Sequence, residues 1–161
     1  MKKFVCLLIT LCVVLVFTSS RTTISNDSRV GTKASNFSIG NEENVVELEQ
    51  YRGKFVVLNM WTSADAVTRL ENIELNKIAR NNPQIVHMGV NFDRSKALFR
   101  EVVSLDSLAV SSQFFCEIQD RPSFEKRWGS IDKPCTFLIN GKGVIVAVNP
   151  TIKEIETAIK R

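Results

Sequence analysis

The chemically capable side chains of this 161-residue sequence are its thiols, one imidazole and a few carboxylates, and their spacing limits what they can do. The cysteines stand at 6, 12, 116 and 135, so the chain contains no Cys-x-x-Cys. Thiol-disulfide exchange uses such a pair: one thiolate attacks sulfur and the second thiol resolves the mixed disulfide. Ordinary dithiol chemistry is therefore not expected. His87, within Ile85-Val-His-Met-Gly89, is the only histidine. A metal site needs several ligands, and no Cys, His or carboxylate cluster accompanies it. His87 reads as a core or sheet-face residue, and neither a metal nor a cofactor is implied. Asp93, in Asn91-Phe-Asp-Arg94, ends an apolar stretch and has two readings, facing a groove or making a turn into a helix.

Cys6 and Cys12 belong to a separate segment. Lys2 and Lys3 precede an apolar run from Phe4 to Phe17, interrupted only by Thr10 and followed by Thr18-Ser19-Ser20. This is the pattern of a secretory signal over residues 1–20, cleaved after Ser20. The run is shorter than the roughly 20 residues that span a bilayer. An uncleaved anchor is the alternative, and membrane contact is expected only in that case. The expected location is exported, periplasmic or cell-envelope. Without the signal the chain keeps 19 basic and 17 acidic residues, scattered without a basic run, which gives no footing for nucleic acid. A chain of about 140 residues buries roughly two thirds of its unfolded surface, so stability requires neither metal nor disulfide. Export does place Cys116 and Cys135 where a disulfide can form. It would close a loop of about 20 residues and add about 3 kcal/mol. Cα atoms more than about 7 Å apart cannot be bridged, so the pairing needs neighbouring strands.

The elements that must position these residues can be read from hydrophobic period. Residues 21–32 read as a polar linker and 33–161 as one domain. Val45, Val46 and Leu48 make a short strand candidate. Phe55 to Trp61 is a continuous apolar strand of the kind covered on both faces. Residues 65–80 form a helix with an apolar stripe from Val67, Leu70, Ile73 and Ile78. Ile85 to Phe92 is a second buried strand, and Ser95 caps a helix with the stripe Leu98, Val102 and Leu105. Phe114 to Ile118 is a short strand, and Ser123 opens a short helix through Trp128. Cys135 to Ile139 and Val144 to Val148 flank the hairpin signal Asn140-Gly-Lys-Gly143. Thr151 and Glu154 form a capping box ahead of Ile152, Ile155 and Ile159. Strands alternating with helices imply parallel crossovers, and the hairpin adds antiparallel pairing, giving an α/β mixed sheet with helices on both faces.

In this order the residues resemble a known family. Gly31-Thr-Lys-Ala-Ser-Asn-Phe37, then Val46-Glu-Leu with Tyr51-Arg-Gly53-Lys54, lead into Phe55-Val-Val-Leu-Asn-Met-Trp61 as in thioredoxin-like proteins. Trp128-Gly129 and Pro134-Cys-Thr-Phe-Leu-Ile-Asn140-Gly-Lys-Gly143 resemble that fold's cis-proline strand and hairpin. The branch it resembles is the exported thiol-disulfide oxidoreductases of the TlpA/ResA type, which implies a thioredoxin-like three-layer fold.

The family motif Trp-x-x-Trp-Cys-x-x-Cys-Arg aligns with Trp61-Thr-Ser-Ala-Asp65-Ala-Val-Thr68-Arg69, and Glu71 comes shortly after. The resemblance thus puts Asp65 at the nucleophile's position and Thr68 at the resolving cysteine's, so no catalytic residue is assigned. An Asp at a helix start is a favoured cap and a fixed anion for the same amides that stabilise a thiolate. Thr68 and Glu71 also fit a capping box, so the helix can begin later. Pro134 is expected to be cis by resemblance, and in relatives the backbone just before it pairs with an extended substrate. That makes Trp61, Asp65, Lys133 and Pro134 the expected groove, with strand-like main-chain recognition of a peptide or exported protein. Two plainer readings stand beside this: Pro134 only shapes its loop, and Trp61 only packs. Cys135, next to the lost site, is a candidate single thiol or an inert strand cysteine. A nearby Asp65 carboxylate would disfavour its thiolate. The resulting expectation is a redox-inactive binding module, with a monothiol redox protein or a purely structural component as alternatives.

Overall fold

Phe55–Trp61 (β3) is the strand on which the domain is assembled. Its run of apolar residues has no solvent face to alternate with, and it is bonded on both edges and covered on both sides. The computed structural model describes residues 27–40 and 45–160; the expected signal segment 1–20 and residues 21–26 of the expected linker lie outside them. A short antiparallel pair, Ser38–Gly40 (β1) and Val45–Glu47 (β2), comes first. Next are Ala66–Asn81 (α1), Ile85–Asn91 (β4), Lys96–Leu105 (α2), Gln113–Phe115 (β5) and Arg121–Trp128 (α3). The chain closes with Thr136–Ile139 (β6), Ile145–Val148 (β7) and Ile152–Ile159 (α4). The five-stranded sheet runs β5-β4-β3-β6-β7. β3, β4 and β5 are parallel, and β6 and β7 join antiparallel. This is the thioredoxin-like α/β arrangement expected from the sequence.

The two faces of β3 separate the core. Val56, Leu58 and Met60 pack with Phe37, Val46, Leu48 and, from α3, Phe124 and Trp128. Trp128 meets Phe37 and Phe137 edge-on at 5.5 and 5.1 Å between ring centroids. On the other face Val57 joins Leu75 of α1 and Ile155 of α4, while Trp61 joins Phe99, Val102 and Val103 of α2. Thus α1, α2 and α4 cover one side, and α3 with the β1–β2 segment covers the other.

Two helical stripes face differently from the sequence expectation. Val67 and Leu70 of α1 are 75% and 63% exposed, and the buried positions are Thr68, Asn72, Leu75 and Asn76. The sheet face beneath is itself polar, and it recruits polar partners. Asn72 donates to Gln113 at 3.1 Å, over Gly89, where any Cβ would collide with both side chains. Asn76 accepts from the Ala109 amide at 3.1 Å. In α2, Phe99, Val102 and Val103 face inward while Leu98 and Leu105 face out; Ser95 caps it as expected, accepting from Leu98 N at 3.2 Å. α3 begins at Arg121 rather than Ser123, with Pro122 in the first turn, where its missing N–H costs nothing. The Thr151–Glu154 capping box is present, and Gly143 takes φ +75° in the β6–β7 hairpin.

Residues 27–32, the described part of the expected linker, are bonded to the domain. Gly31 N donates to Ile145 O at 2.8 Å, and Ile145 N donates to Thr32 O at 3.0 Å. Cys116 and Cys135 are both free thiols, so the possible disulfide between them is not formed. Cys116 follows β5 and Cys135 precedes β6, with β4 and β3 between them. Three strand spacings amount to roughly 14 Å, twice the reach of a disulfide.

His87 sits on the α1 side of β4 opposite Val57, buried, with no hydrogen-bond partner on either ring nitrogen among the described residues. Burial pulls its pKa down to about 3, so the folded ring is neutral. The unfolded ring protonates near pH 6.5, so the unfolded state gains a proton that the folded state refuses. Stability therefore falls as pH drops below 6.5 and stops falling near 3. Burial raises the Glu71 carboxyl, which acts with opposite sign and is common to any His87 variant. Between pH 7 and 5, urea denaturation should show about 2 kcal/mol more loss for the wild type than for His87→Leu. Equal losses would mean that the buried ring takes up its proton without unfolding.

Candidate functional site

The site is built where β3 ends and α1 begins. The first amides of a helix lack partners within it, and they carry the positive end of its dipole. Asp65 is the N-cap: its carboxylate accepts from Val67 N at 2.9 Å and from Thr68 N at 3.2 Å. The helix therefore starts at Ala66, and the later start offered by Thr68 and Glu71 is not used. Thr68 is buried, and its hydroxyl donates to Asp65 O at 3.3 Å and accepts from Thr62 N at 3.5 Å. Glu71 turns toward β6, where hydrogen bonding from Thr136 offsets part of the raised carboxyl pKa.

Two further contacts hold this start in place. Asp93 is buried after β4, where its carboxylate accepts from Ser63 N at 2.9 Å, from the Ser63 hydroxyl, and from Asn91 Nδ2 at 3.0 Å. It ties the loop before α1 to the neighbouring strand, which is the turn role of its two readings. Arg121 donates to the main-chain oxygen of Asp93 and, at 3.4 Å, to that of Cys116. Arg69 grips Asp106 at the end of α2 with two bonds of 2.6 Å. That ion pair raises the Arg69 pKa. Nothing in the sequence paired Ser63 with Asp93 or Arg69 with Asp106, because both pairings are fixed only by the crossover between β3 and β4.

On the other side of β3, Met60 N donates to Cys135 O at 3.2 Å, which lays the Pro134 loop along the strand's end. Asp65, Thr68, Lys133, Pro134 and Cys135 thus share one edge of the sheet. Trp61 does not join them. It is fully buried against α2, with its ring 6.1 Å from that of Phe99, so it takes the packing role. The described peptide bonds are all trans, including Lys133–Pro134, which corrects the cis expectation. The intrinsic preference of an X-Pro bond for trans is about 0.5–1 kcal/mol, and nothing local in the sequence overrides it. Lys133 N already donates to Ser130 O at 3.1 Å, and Lys133 O accepts from Cys135 Sγ at 3.3 Å. Its main chain therefore offers no open ladder for strand addition.

Cys135 is half-buried and has an unforeseen neighbour. Arg29, within the expected linker, donates to Cys135 Sγ at 3.9 Å and to Trp128 O at 2.8 Å, and lies 4.7 Å over the Phe137 ring. Its salt bridge to Asp27 at 2.7 Å raises the Arg29 pKa and holds the Asp27 carboxyl down at about 2. The Cys116 thiol is pushed up to about 11 by burial, which leaves it protonated and unreactive near neutrality. Among the described residues no group of three or more His, Cys, Asp or Glu side chains is gathered for a metal, and no helix is long and apolar enough to cross a membrane.

The cap itself is measurable. Asp65→Ala leaves two amides unpaired and should cost about 1 kcal/mol in urea denaturation, whereas Asp65→Asn should cost only a few tenths. Equal costs would mean that the charge, rather than the hydrogen bonds, holds the helix start.

Comparison with known proteins agrees with this geometry. No family model matches the sequence. A 94-residue stretch, 58% of this chain, is 35% identical to the thiol:disulfide interchange protein DsbE of Yersinia pestis and spans 47% of that protein, about half its length. A thioredoxin-like protein from Parabacteroides distasonis matches with a TM-score of 0.63 and 28% identity, over 68% of this chain and 82% of its own. The thioredoxin domain of a thiol-disulfide oxidoreductase from Bacteroides vulgatus matches with a TM-score of 0.71 and 19% identity, over 81% of this chain and 95% of that domain. The chain therefore has the thioredoxin-like fold and, over part of its length, resembles a thiol:disulfide interchange protein in sequence.

Proposed function

We propose that this protein is an exported thioredoxin-like module that binds a peptide or protein partner at the start of α1 and carries out no dithiol exchange. The observation that carries this reading is the Asp65 carboxylate bonded to the amides of Val67 and Thr68. In a dithiol relative, donors of this kind lower a thiol's pKa and stabilise the thiolate. Here they stabilise a carboxylate, which cannot attack and release sulfur as a thiolate does. The chain has no Cys-x-x-Cys, and its two domain cysteines adjoin the ends of separate, non-neighbouring strands of the sheet.

Binding is supported by what α1 exposes. Val67 and Leu70, three residues apart on its first two turns, are 75% and 63% exposed beside the cap. Lys133 is exposed and Pro134 half-buried across the same edge. The surface thus combines an apolar pair with one cation and one fixed anion. With the Lys133 main chain already bonded, recognition falls to side chains. The leader pattern over residues 1–20 supports export.

A second reading rests on Arg29. A guanidinium 3.9 Å from Cys135 Sγ places a cation beside a half-buried thiol, and its thiolate form can attack a partner's disulfide, forming a mixed disulfide and releasing the partner's other sulfur as a thiolate. The Lys133 carbonyl at 3.3 Å works against it, since it holds the protonated thiol.

The purified chain should not accelerate insulin reduction by dithiothreitol. Asp65→Cys with Thr68→Cys should accelerate it by roughly tenfold or more, because the helix start then stabilises a thiolate. A brisk rate from the wild type would overturn the reading. Cross-linking capture from the native compartment separates the two readings. Val67→Glu with Leu70→Glu should lower recovery by roughly tenfold, the worth of burying about one such side chain, and Cys135→Ser should leave it unchanged. Loss of every captured protein with Cys135→Ser would put the thiol in charge.

A further inference from the structure

At the far end of α1 from Asp65, the fold leaves an open groove of about 620 Å³ between the C-terminal half of that helix and α4. Its apolar lining is Ile78 from α1 with Ile152 and Ile159 from α4, all three half-buried. The sequence explains why their burial stops halfway. Ile152, Ile155 and Ile159 form one stripe, and α4 has only about two turns. Ile155 takes the place over the sheet and is fully buried, so the outer two overhang toward α1.

Among the described residues each wall of the groove adds one acid and one base: Glu74 and Lys77 on α1, and Glu156 on α4 with Lys160 just past its end. All four are exposed, and none is in an ion pair among the described residues. Glu156 and Lys160 stand four residues apart, the spacing of an intrahelical pair, and still do not join. A partner of one sign is repelled by half of this rim, and an uncharged partner covers charges that it cannot satisfy. A second copy of the chain meets neither problem. Two-fold symmetry reverses the direction of α4, so Glu156 of one copy faces Lys160 of the other and the pair occurs twice. The overhanging isoleucines then close on each other across the axis.

We infer that this groove is the contact surface of a homodimer in solution, with the α4 helices of the two copies antiparallel about an axis between Glu156 and Lys160. An α4 of about 12 Å is too short for the roughly 800 Å² per partner of a standard interface, so the dimer is weak and concentration-dependent. Ile78 is roughly 20 Å along α1 from Asp65, so the dimer leaves the start of α1 open and does not depend on the function proposed there.

Sedimentation velocity of the purified chain from 1 to 500 μM tests this. A monomer–dimer equilibrium is expected, with a Kd of roughly 10–100 μM. Ile159→Glu should leave monomer at every concentration. Glu156→Lys and Lys160→Glu should each weaken the dimer by about fivefold, since either breaks both symmetric pairs, and the double variant should regain the wild-type Kd to within about twofold. Val67→Glu with Leu70→Glu should leave the dimer unchanged. Should Ile159→Glu fail to fold by circular dichroism, the charge series still decides the matter. The inference is overturned if the chain stays monomeric throughout, which gives the groove to another partner, or if Val67→Glu with Leu70→Glu abolishes the dimer, which places the contact at the start of α1. It is also overturned if the two single charge variants shift the Kd in opposite directions, which marks net charge alone, or if the double variant regains nothing.

Discussion

The whole site depends on β3 being satisfied on all sides. Its edges are bonded to β4 and β6, and its faces are covered by different helices, so no residue from Phe55 to Trp61 can shift without breaking a ladder and a core together. The strand therefore delivers its last residue to a fixed point. Trp61 goes inward against α2, and four residues later the chain must begin a helix whose first amides have no partner within it. In this fold the demand for an acceptor at position 65 is a consequence of the central strand, independent of the chemistry done there.

That demand explains how a thioredoxin-like scaffold survives without a dithiol. A thiolate and a carboxylate answer the same amides with the same charge, and they differ in what they do next. A carboxylate is ionised at any pH near neutrality and is among the preferred caps, so Asp65 gives the helix start a permanent partner. The supporting contacts remain: Asp93 on the Ser63 loop, Arg69 on Asp106, and Met60 on the Cys135 carbonyl. They hold the same geometry for whichever anion stands there. Stability and nucleophilicity at this position are separable properties.

How much of this was legible in the sequence depended on the range of the interaction. The continuous apolar run Phe55–Trp61, the Ser95 cap and the Thr151–Glu154 box are local patterns, and they mark elements that are present where expected. The buried face of α1 was not legible, because Asn72 and Asn76 look like surface residues until Gln113 and the Ala109 amide are brought beneath them. Val67 and Leu70 look like core for the same reason in reverse. The Cys116–Cys135 pairing failed on strand order, which residue counting cannot supply. Arg29 was hidden more deeply still: it lies in a polar stretch without periodicity, yet its guanidinium reaches Trp128, Phe137 and Cys135 more than a hundred positions away or nearly so.

Arg29 also changes the electrostatics expected around Cys135. From sequence, Asp65 is the charged neighbour to consider, and it disfavours a thiolate. In the fold the charged group in contact with Sγ is Arg29, a cation rather than an anion. The opposing influence is the Lys133 carbonyl, which accepts from the protonated thiol at 3.3 Å, shorter than the 3.9 Å to the guanidinium. Arg29 is also committed to Asp27 by a 2.7 Å salt bridge and to the Trp128 carbonyl, so only part of its charge is directed at sulfur. Cys135 thus sits between a main-chain acceptor and a cation that is already shared, while position 65 carries a carboxylate where dithiol exchange needs a thiolate.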